Sequence, residues 1–419
     1  MKTLAGDQTA ASQAGPNLVR TLSALGPWRA LIALTLVVLA AYWLALAFVF
    51  GIIPTGPDLT NRLGGTAAGD FMYFYPAARL AAEGRAADMY DWPLLTAVAR
   101  ATLGPKTPEL DWAYPPTVWV LLAPLGRLAP LHALVLWVGT ALCLTLLLGR
   151  LLLGRWQLAP LALLFPGAAL AMFCGHQSAL LAGLVVTVAL CGPRNPLLAG
   201  LALGFLSIKP HIAVAATLVL GIRRHYRVVL YGVITGMALA ALSVVFVGFT
   251  PWFAFPAALQ ATSRSVATQY FPTHRFVTVF ATVLTLGGGT TLALLFHTLG
   301  AVSGLLLCAR LLSAPLTSLR TLGFGAGTLL VTPYALDYDL VLLLPAWLLL
   351  IAECRERPEL SRSLLPLWAS LVVLVPLGYM IQLYTGKSVS SALQIGVLGL
   401  ALASSRQVGG RQRGDDSHP

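Results

Sequence analysis

The amino-acid sequence predicts an all-α polytopic membrane protein with about twelve transmembrane helices. Its 419 residues are 58% hydrophobic and only 10% charged, whereas about a quarter of the residues in a soluble domain are charged. This composition excludes a soluble globular protein, and it is the opposite of a disordered one. The net charge of +12 is spread thinly between long apolar runs. We therefore expect no nucleic-acid partner.

Long apolar segments supply the expected helices, because a helix needs about 20 apolar residues to cross a bilayer. Five segments have this length, namely 30–50, 131–153, 228–249, 290–312 and 364–384. Shorter segments, which we interpret as broken or protein-covered spans, are 157–173, 177–192, 196–208, 211–222, 318–333, 338–352 and 388–404. The pairs Gly200/Gly204, Gly232/Gly236 and Gly300/Gly304 predict close helix packing.

The distribution of Lys and Arg predicts the orientation. Most basic residues lie on the cytoplasmic side when both termini are placed in the cytoplasm. The resulting division has cytoplasmic tails at 1–28 and 405–419, a membrane domain at 29–404, a first external loop at 54–116 and a second external segment at 250–289. Within the second segment, 274–286 is too short to span and is expected to be a re-entrant or surface helix. The five cysteines show no paired spacing and predict neither a disulfide framework nor a zinc site.

The first external loop carries seven of the fifteen acidic residues and is expected to be helical and to lie on the membrane. A loop of this length usually has its own structure or a function. The pattern in 69–84 indicates an amphipathic helix that stops at Gly84, and a second helix is expected from the cap at Asp91 to Gly104. The aromatic residues suit a membrane–water interface, and among them we expect Tyr73 and Tyr114 to bind a ligand.

Asp70 is the main candidate for a catalytic group. It stands at the start of an interfacial helix among apolar and aromatic neighbours. Such surroundings disfavour the charged carboxylate and can raise its pKa towards the range of a general base. The alternative is an ordinary helix N-cap, which aspartate also favours.

Other candidate binding residues lie at the ends of short spans. Lys209 is costly near lipid, so it is either a charge partner for a phosphate or a snorkelling side chain, and His211 lies beside it. Gln177 starts a helix whose N-terminus favours anions, and ordinary capping is the alternative. Arg275 could contact a phosphate from the second external segment.

Asp337 and Asp339 lie at the boundary of an apolar span, where carboxylates mark sites or water-lined cavities. They could bind sugar hydroxyls or a cation, or orient a basic partner such as Lys209. Because side chains two apart point to different sides of a helix, both can share a site only if the helix has an irregular start. Two aspartates alone are weak evidence for metal, so we predict no metal site and no cofactor.

Five strings in a fixed order resemble one protein family. They are GDFMYFYPAARLAAEGRAADMYD, WAYPPTVWVLLAPLGRL, GHQSALLAGL, LLAGLALGFLSIKPH and TPYALDYDLVLLLP. Together they resemble glycosyltransferase family 87, a group of bacterial polytopic membrane enzymes with the GT-C fold. The resemblance covers roughly residues 30–352.

This resemblance implies an inverting transfer of a hexose, mannose in the known members, from a polyprenyl-phosphate donor to a lipid or glycan acceptor. The reaction would take place on the extracytoplasmic face of the bacterial cell membrane. The family's first-loop aspartate maps onto Asp70 as the base, and its G-Q-type motif maps onto Gln177. Members often carry a histidine in the late motif, where this chain has Tyr338. Because this histidine is absent here, the mannose specificity of the known members does not transfer directly to this chain.

Two other classes compete with a lipid-linked-sugar glycosyltransferase. A transporter or flippase for a lipid-linked glycan would explain charges within the membrane, but not the acidic, helical first loop. An inactive scaffold of the same fold is the third reading. No nucleotide-binding motif stands in a suitable strand–turn–helix context, as expected for a donor that carries its sugar on lipid.

Overall fold

A computed structural model gives the architecture of most of the chain. The described residues are 36–37, 39–42, 59, 69–192, 194–269 and 272–415. Over these residues the fold is all-α, as the sequence predicts, and the single β-pairing among them is an isolated antiparallel bridge between Phe276 and Leu336. The predicted tail 1–28 and most of the predicted span 30–50 lie outside the described residues.

Sixteen α-helices, numbered along residues 69–415, make up the described fold. They are α1 (Phe71–Ala82), α2 (Trp92–Leu103), α3 (Trp119–Leu122), α4 (Pro130–Leu153), α5 (Pro166–Phe173), α6 (Ser178–Cys191), α7 (Pro196–Phe205), α8 (Pro210–Ile222), α9 (Tyr226–Val247), α10 (Thr250–Ala267), α11 (Val279–Thr285), α12 (Thr290–Leu311), α13 (Thr317–Val331), α14 (Leu344–Glu356), α15 (Ser361–Thr385) and α16 (Ser390–Asp415). Short 3₁₀ helices include Trp156–Leu164, Leu206–Ile208, Thr273–Arg275 and Asp337–Leu343.

Four of the described helices are long and apolar enough to cross a membrane. Three are α4, α9 and α12, and the fourth is the helical run Pro358–Thr385 that contains α15. A fifth is possible if Trp156–Leu164 and α5, which meet at a 75° bend, form one broken span. The remaining apolar helices, such as α6 and α8, are shorter than a bilayer crossing requires. The chain is a membrane protein, and the number of twelve spans stays a prediction.

The predicted first external loop has the two helices that its sequence indicates. Helix α1 is followed by Gly84 at φ +75°, and α2 ends at Leu103 and is followed by Gly104, whose φ is +123°. The side chain of Asp91 caps α2 by accepting a hydrogen bond from the Leu94 N–H at 3.1 Å, and Pro93 occupies the first turn, where a missing N–H costs nothing. Local capping signals therefore set both helix boundaries.

Several aromatic residues of this loop, which the sequence suggests for the membrane–water interface, are instead buried inside the protein. Phe71, Phe74 and Trp112 are at most 3% exposed and form a second hydrophobic core beneath the loop. Trp137 of α4 joins this core, and its ring lies 4.9 Å from that of Phe74. Burial of these large rings removes much apolar surface from water and so stabilises the packing of the loop against α4.

Five of the six glycines in the predicted pairs pack helices closely, whereas Gly236 makes only ordinary contact with Ser207. A Cβ on Gly200 or Gly204 of α7 would collide with Tyr231 or Thr235 of α9, so only glycine permits this approach. Gly304 of α12 packs against Leu330 of α13 in the same way. Such close approach is the usual means of associating apolar helices in a membrane.

The segment that the sequence predicts to be the second external one contains more helix than the sequence indicates. Residues 250–267 form the 18-residue helix α10, which follows Gly248 and has Pro251 in its first turn. The short helix expected within 274–286 is α11, and its Phe280 and Leu284 are buried in the main core rather than exposed at a surface. Near the C-terminus, α16 continues to Asp415, so most of the predicted tail from 405 is helical.

Candidate active site

Asp70 is held in place by its backbone. Its N–H donates a hydrogen bond to the Cys174 carbonyl at 2.6 Å, at the end of α5. The preceding Gly69 has φ +37°, and a Cβ there would contact that same carbonyl at 2.8 Å. Asp70 occupies the N-cap position of α1, but its side chain makes no capping hydrogen bond with the described residues. The carboxylate is therefore free of the capping role that the sequence left open.

The surroundings of Asp70 shift its protonation. Burial raises the pKa of the carboxyl to about 6, while the positive charges of Arg275 and Lys209 and a hydrogen bond from Tyr338 oppose that rise. A carboxyl with this pKa is largely ionised at neutral pH yet basic enough to accept a proton. The burial of Asp70 thus raises its pKa in the direction that its apolar and aromatic sequence neighbours suggest.

Two ion pairs lie next to Asp70, one fully buried and one partly exposed on its arginine side. Lys209 Nζ lies 2.5 Å from Asp339 Oδ1, and the two side chains are 3% and 1% exposed. Arg275 donates from Nε and Nη2 to the two carboxylate oxygens of Asp337, each at 3.0 Å. This bidentate geometry suits a guanidinium and a carboxylate. Both predicted aspartates thus pair with predicted basic residues.

The β-bridge explains why Arg275 meets Asp337. Phe276 pairs with Leu336 in antiparallel fashion, so the residue before one stands opposite the residue after the other. Leu336 is extended and a 3₁₀ helix begins at Asp337. This is the irregular start that both aspartates need to share one site.

The C-terminal part of the chain secures the bridge from the other side. Ser388 Oγ donates to the Phe276 carbonyl at 2.6 Å, and Gln394 Nε2 of α16 donates to the Val277 carbonyl at 2.8 Å. Both donor side chains are buried. The segment that carries Arg275 is therefore tied to the last helix of the chain.

A stack of rings forms another wall of the site. His176 lies on the Tyr338 ring with centroids 4.2 Å apart. Its two nitrogens contact Tyr114 Oη at 2.8 Å and Ser178 Oγ at 2.5 Å. The Lys209 ammonium lies 4.9 Å from the centre of the Tyr338 ring, a distance typical of a cation–π contact.

These groups surround a cavity of about 420 Å³, which we call the central cavity. Of the predicted site residues it is lined by Asp70, Tyr73, Tyr114, Lys209, His211 and Arg275. Asp337 and Asp339 lie behind this wall as the partners of the two basic residues. His211 has a buried Nε2 without a hydrogen-bond partner among the described residues.

Gln177 does not line the central cavity. Its side-chain nitrogen donates to the Trp137 carbonyl at 2.7 Å, and the side chain is buried. Sequence reasoning chose this residue of the Gly175-His176-Gln177 motif, whereas the neighbouring His176 makes the contacts to the site.

Sequence reasoning also missed Asp111, which lines the central cavity and the larger one beside it. Burial raises the pKa of its carboxyl. In the sequence, Asp111 stands between two large apolar residues, Leu110 and Trp112, a pattern that could have drawn attention to it. Both neighbours are almost fully buried. Tyr334 and Tyr338 also line the cavity, although neither was among the residues expected to bind a ligand. Within the described chain, no three His, Cys, Asp or Glu side chains are grouped so that they could hold a metal ion.

The apolar helices indicate a membrane protein. Its central cavity is lined by carboxylate and basic side chains that could take part in catalysis. The chain belongs to glycosyltransferase family 87, whose family model matches residues 112–336, just over half of its length. It is therefore a glycosyltransferase, which uses a sugar donor and an acceptor. Searches of curated proteins and of solved structures found no match. The matched range contains Tyr114, Lys209 and Arg275, whereas Asp70 precedes it.

Proposed function

We propose that the protein transfers a hexose, mannose or a related sugar, from a polyprenyl-phosphate donor to a lipid or glycan acceptor. In this proposal the enzyme has a GT-C fold, lies in the bacterial cell (inner) membrane with both termini in the cytoplasm, and works on the extracytoplasmic face. The observation that carries the proposal is Asp70, a cavity-lining carboxylate with a pKa of about 6 in a chain of this family.

An apolar wall of the central cavity supports a lipid-linked donor. Val214, Phe255 and Leu259 line the cavity, and Val214 and Leu259 are 58% and 46% exposed. Exposed aliphatic side chains at the edge of a charged cavity suit a molecule with a polar head and a hydrocarbon chain. The prenyl chain would lie along these residues and its phosphate would face the basic groups.

Arg275 is the first candidate for contact with the donor phosphate. Its side chain is 31% exposed, and its hydrogen bonds to described residues use Nε and Nη2. A guanidinium carries five donors, so Nη1 can face a phosphate while the pair with Asp337 persists. Lys209 also lines the cavity. It ranks second because Asp339 already balances its charge.

The reaction would be a single displacement. Asp70 accepts the proton of an acceptor hydroxyl as that oxygen attacks the anomeric carbon of the donor sugar. The bond between the anomeric carbon and the phosphate oxygen breaks, and its electron pair leaves with polyprenyl phosphate. Attack from the face opposite the leaving group inverts the anomeric centre. Fixed positive charge near the leaving phosphate stabilises this transition state.

The test uses purified protein in lipid nanodiscs with radiolabelled polyprenyl-phosphate mannose and a membrane glycan extract as the acceptor source. An active enzyme releases polyprenyl phosphate and labels an acceptor, whereas a flippase leaves the donor intact. Asp70→Asn should lower the transfer rate about 100-fold or more, since a general base contributes at least that much.

Asp91→Asn is the matched control. It makes the same substitution at an exposed position of the same loop, and asparagine caps a helix as well as aspartate does. Transfer at the wild-type rate by a folded Asp70→Asn variant would refute the proposed base. An intact donor with the wild-type protein would refute the proposed donor.

A further inference from the structure

A second cavity lies beside the central one. It encloses about 590 Å³ and is lined by α2, by residues 109–111, by Tyr73 of α1, by Ser265 of α10 and by Pro272. Tyr73, Asp111 and Pro272 line both cavities, so the two are neighbours that share one wall. We call this space the loop cavity.

The chemistry of the loop cavity differs from that of the central cavity. Tyr73 and Trp92 supply aromatic surface, and Arg100, Glu109 and Asp111 supply charged groups that accept or donate hydrogen bonds. Its aliphatic lining is limited to Leu110, which is 2% exposed, and two prolines. The exposed aliphatic edge that suits a prenyl chain is therefore confined to the central cavity.

Internal hydrogen bonds hold the wall of the loop cavity in shape. Trp92 Nε1 donates to the Trp112 carbonyl at 3.3 Å, and Arg100 Nε donates to the Thr107 carbonyl at 2.9 Å. Thr96 Oγ1 accepts a hydrogen bond from the Leu110 N–H at 3.0 Å. A wall that is formed before a ligand arrives saves the cost of ordering it on binding.

Asp111 stands at the junction of the two cavities. It forms no ion pair with any described residue, although burial raises its pKa. Tyr73, on the same shared wall, follows Asp70 by three residues at the start of α1, which is less than one helical turn. A molecule seated in the loop cavity can therefore reach past Asp111 to the proposed base.

We propose that the loop cavity binds a neutral saccharide, the sugar part of the acceptor, with Trp92 beneath a sugar ring and Asp111 accepting a hydrogen bond from one of its hydroxyl groups. Sugar rings present apolar faces that pack on aromatic rings and a rim of hydroxyls that need paired donors and acceptors. This inference rests on the proposed transferase function, and it selects a glycan headgroup rather than an alkyl chain as the part of the acceptor that is recognised.

Saturation-transfer difference NMR on the full-length protein in nanodiscs tests the proposal without turnover. The probes are the neutral trisaccharides mannotriose and maltotriose. We expect the wild-type protein to bind at least one of them. Asp111→Asn replaces the charged acceptor with a neutral amide, and Trp92→Leu removes the ring contact, so each should weaken that binding roughly tenfold. Asp91→Asn, outside both cavities, should leave it unchanged.

The outcomes separate this inference from the proposed function. No binding of either trisaccharide, or binding that Asp111→Asn and Trp92→Leu leave unchanged, overturns the loop-cavity proposal, even if the donor is consumed. Trisaccharide binding that depends on Asp111, together with an intact polyprenyl-phosphate donor, supports the loop cavity and refutes the donor. Asp111→Asn is nearly isosteric, so it keeps the test decisive if Trp92→Leu does not fold.

Discussion

The protonation of Asp70 makes a quantitative prediction about the pH dependence of transfer. The pKa of this carboxyl is about 6, and only the ionised form can accept a proton. Its ionised fraction falls from about 0.9 at pH 7 to about 0.1 at pH 5. We therefore expect kcat/KM, which reports the free enzyme, to fall roughly tenfold over this interval. The measurement is a pH profile of kcat/KM for polyprenyl-phosphate mannose in nanodiscs.

Arg275→Gln sharpens this prediction. The positive charge of Arg275 lowers the pKa of Asp70 and is the largest influence that opposes burial, so its removal should move the acidic limb to higher pH. Arg264→Gln, at an exposed position of α10, is the control and should leave the limb in place. A flat wild-type profile between pH 5 and 7, or a limb that stays in place in a folded Arg275→Gln variant, would refute the reasoning.

Two further predictions concern stability, measured by thermal unfolding in detergent. Lys209→Met leaves the buried Asp339 carboxylate without its partner and should lower the free energy of unfolding by about 3–5 kcal/mol. The double variant Lys209→Met/Asp339→Leu should recover most of this loss, and equal loss in both would contradict the ion-pair argument. Gly204→Ala should cost about 1–3 kcal/mol because its Cβ would collide with Thr235, whereas Gly183→Ala, with open space around it, should be neutral or mildly stabilising.

Much of the fold is encoded in local signals that the sequence displays directly. Capping by Asp91 and the stop at Gly104 set α2 within one residue of the expected bounds, because each depends only on neighbouring residues. The apolar stretches predict the long helices α4, α9 and α12 for the same reason. Helix α10 was missed because its polar residues and internal Pro256 resemble an external loop.

The candidate site was predictable by residue type but not by pairing. Charges beside apolar spans stand out in the sequence, so Lys209 and Asp339 were both selected. Their contact joins positions 130 residues apart and depends on how the helices pack. Gln177 was chosen over His176, yet neither lines the central cavity. His176 contacts the lining residues Tyr114 and Tyr338, a difference that the spacing of adjacent residues does not show. Asp111 looks like a loop residue until the core around Trp112 is known.

The bridge between Phe276 and Leu336 also affects when the site can form during synthesis of the chain. It joins two segments separated by α11, α12 and α13, and Gln394 of the last helix holds its far side. A chain that is still being synthesised has Asp70 and Lys209 well before it has α16. The hydrogen bond from Gln394 to the Val277 carbonyl therefore forms only after α16 has been made and has docked. A chain truncated before α16 would keep Asp70 and Lys209 but lose this support for the segment that carries Arg275.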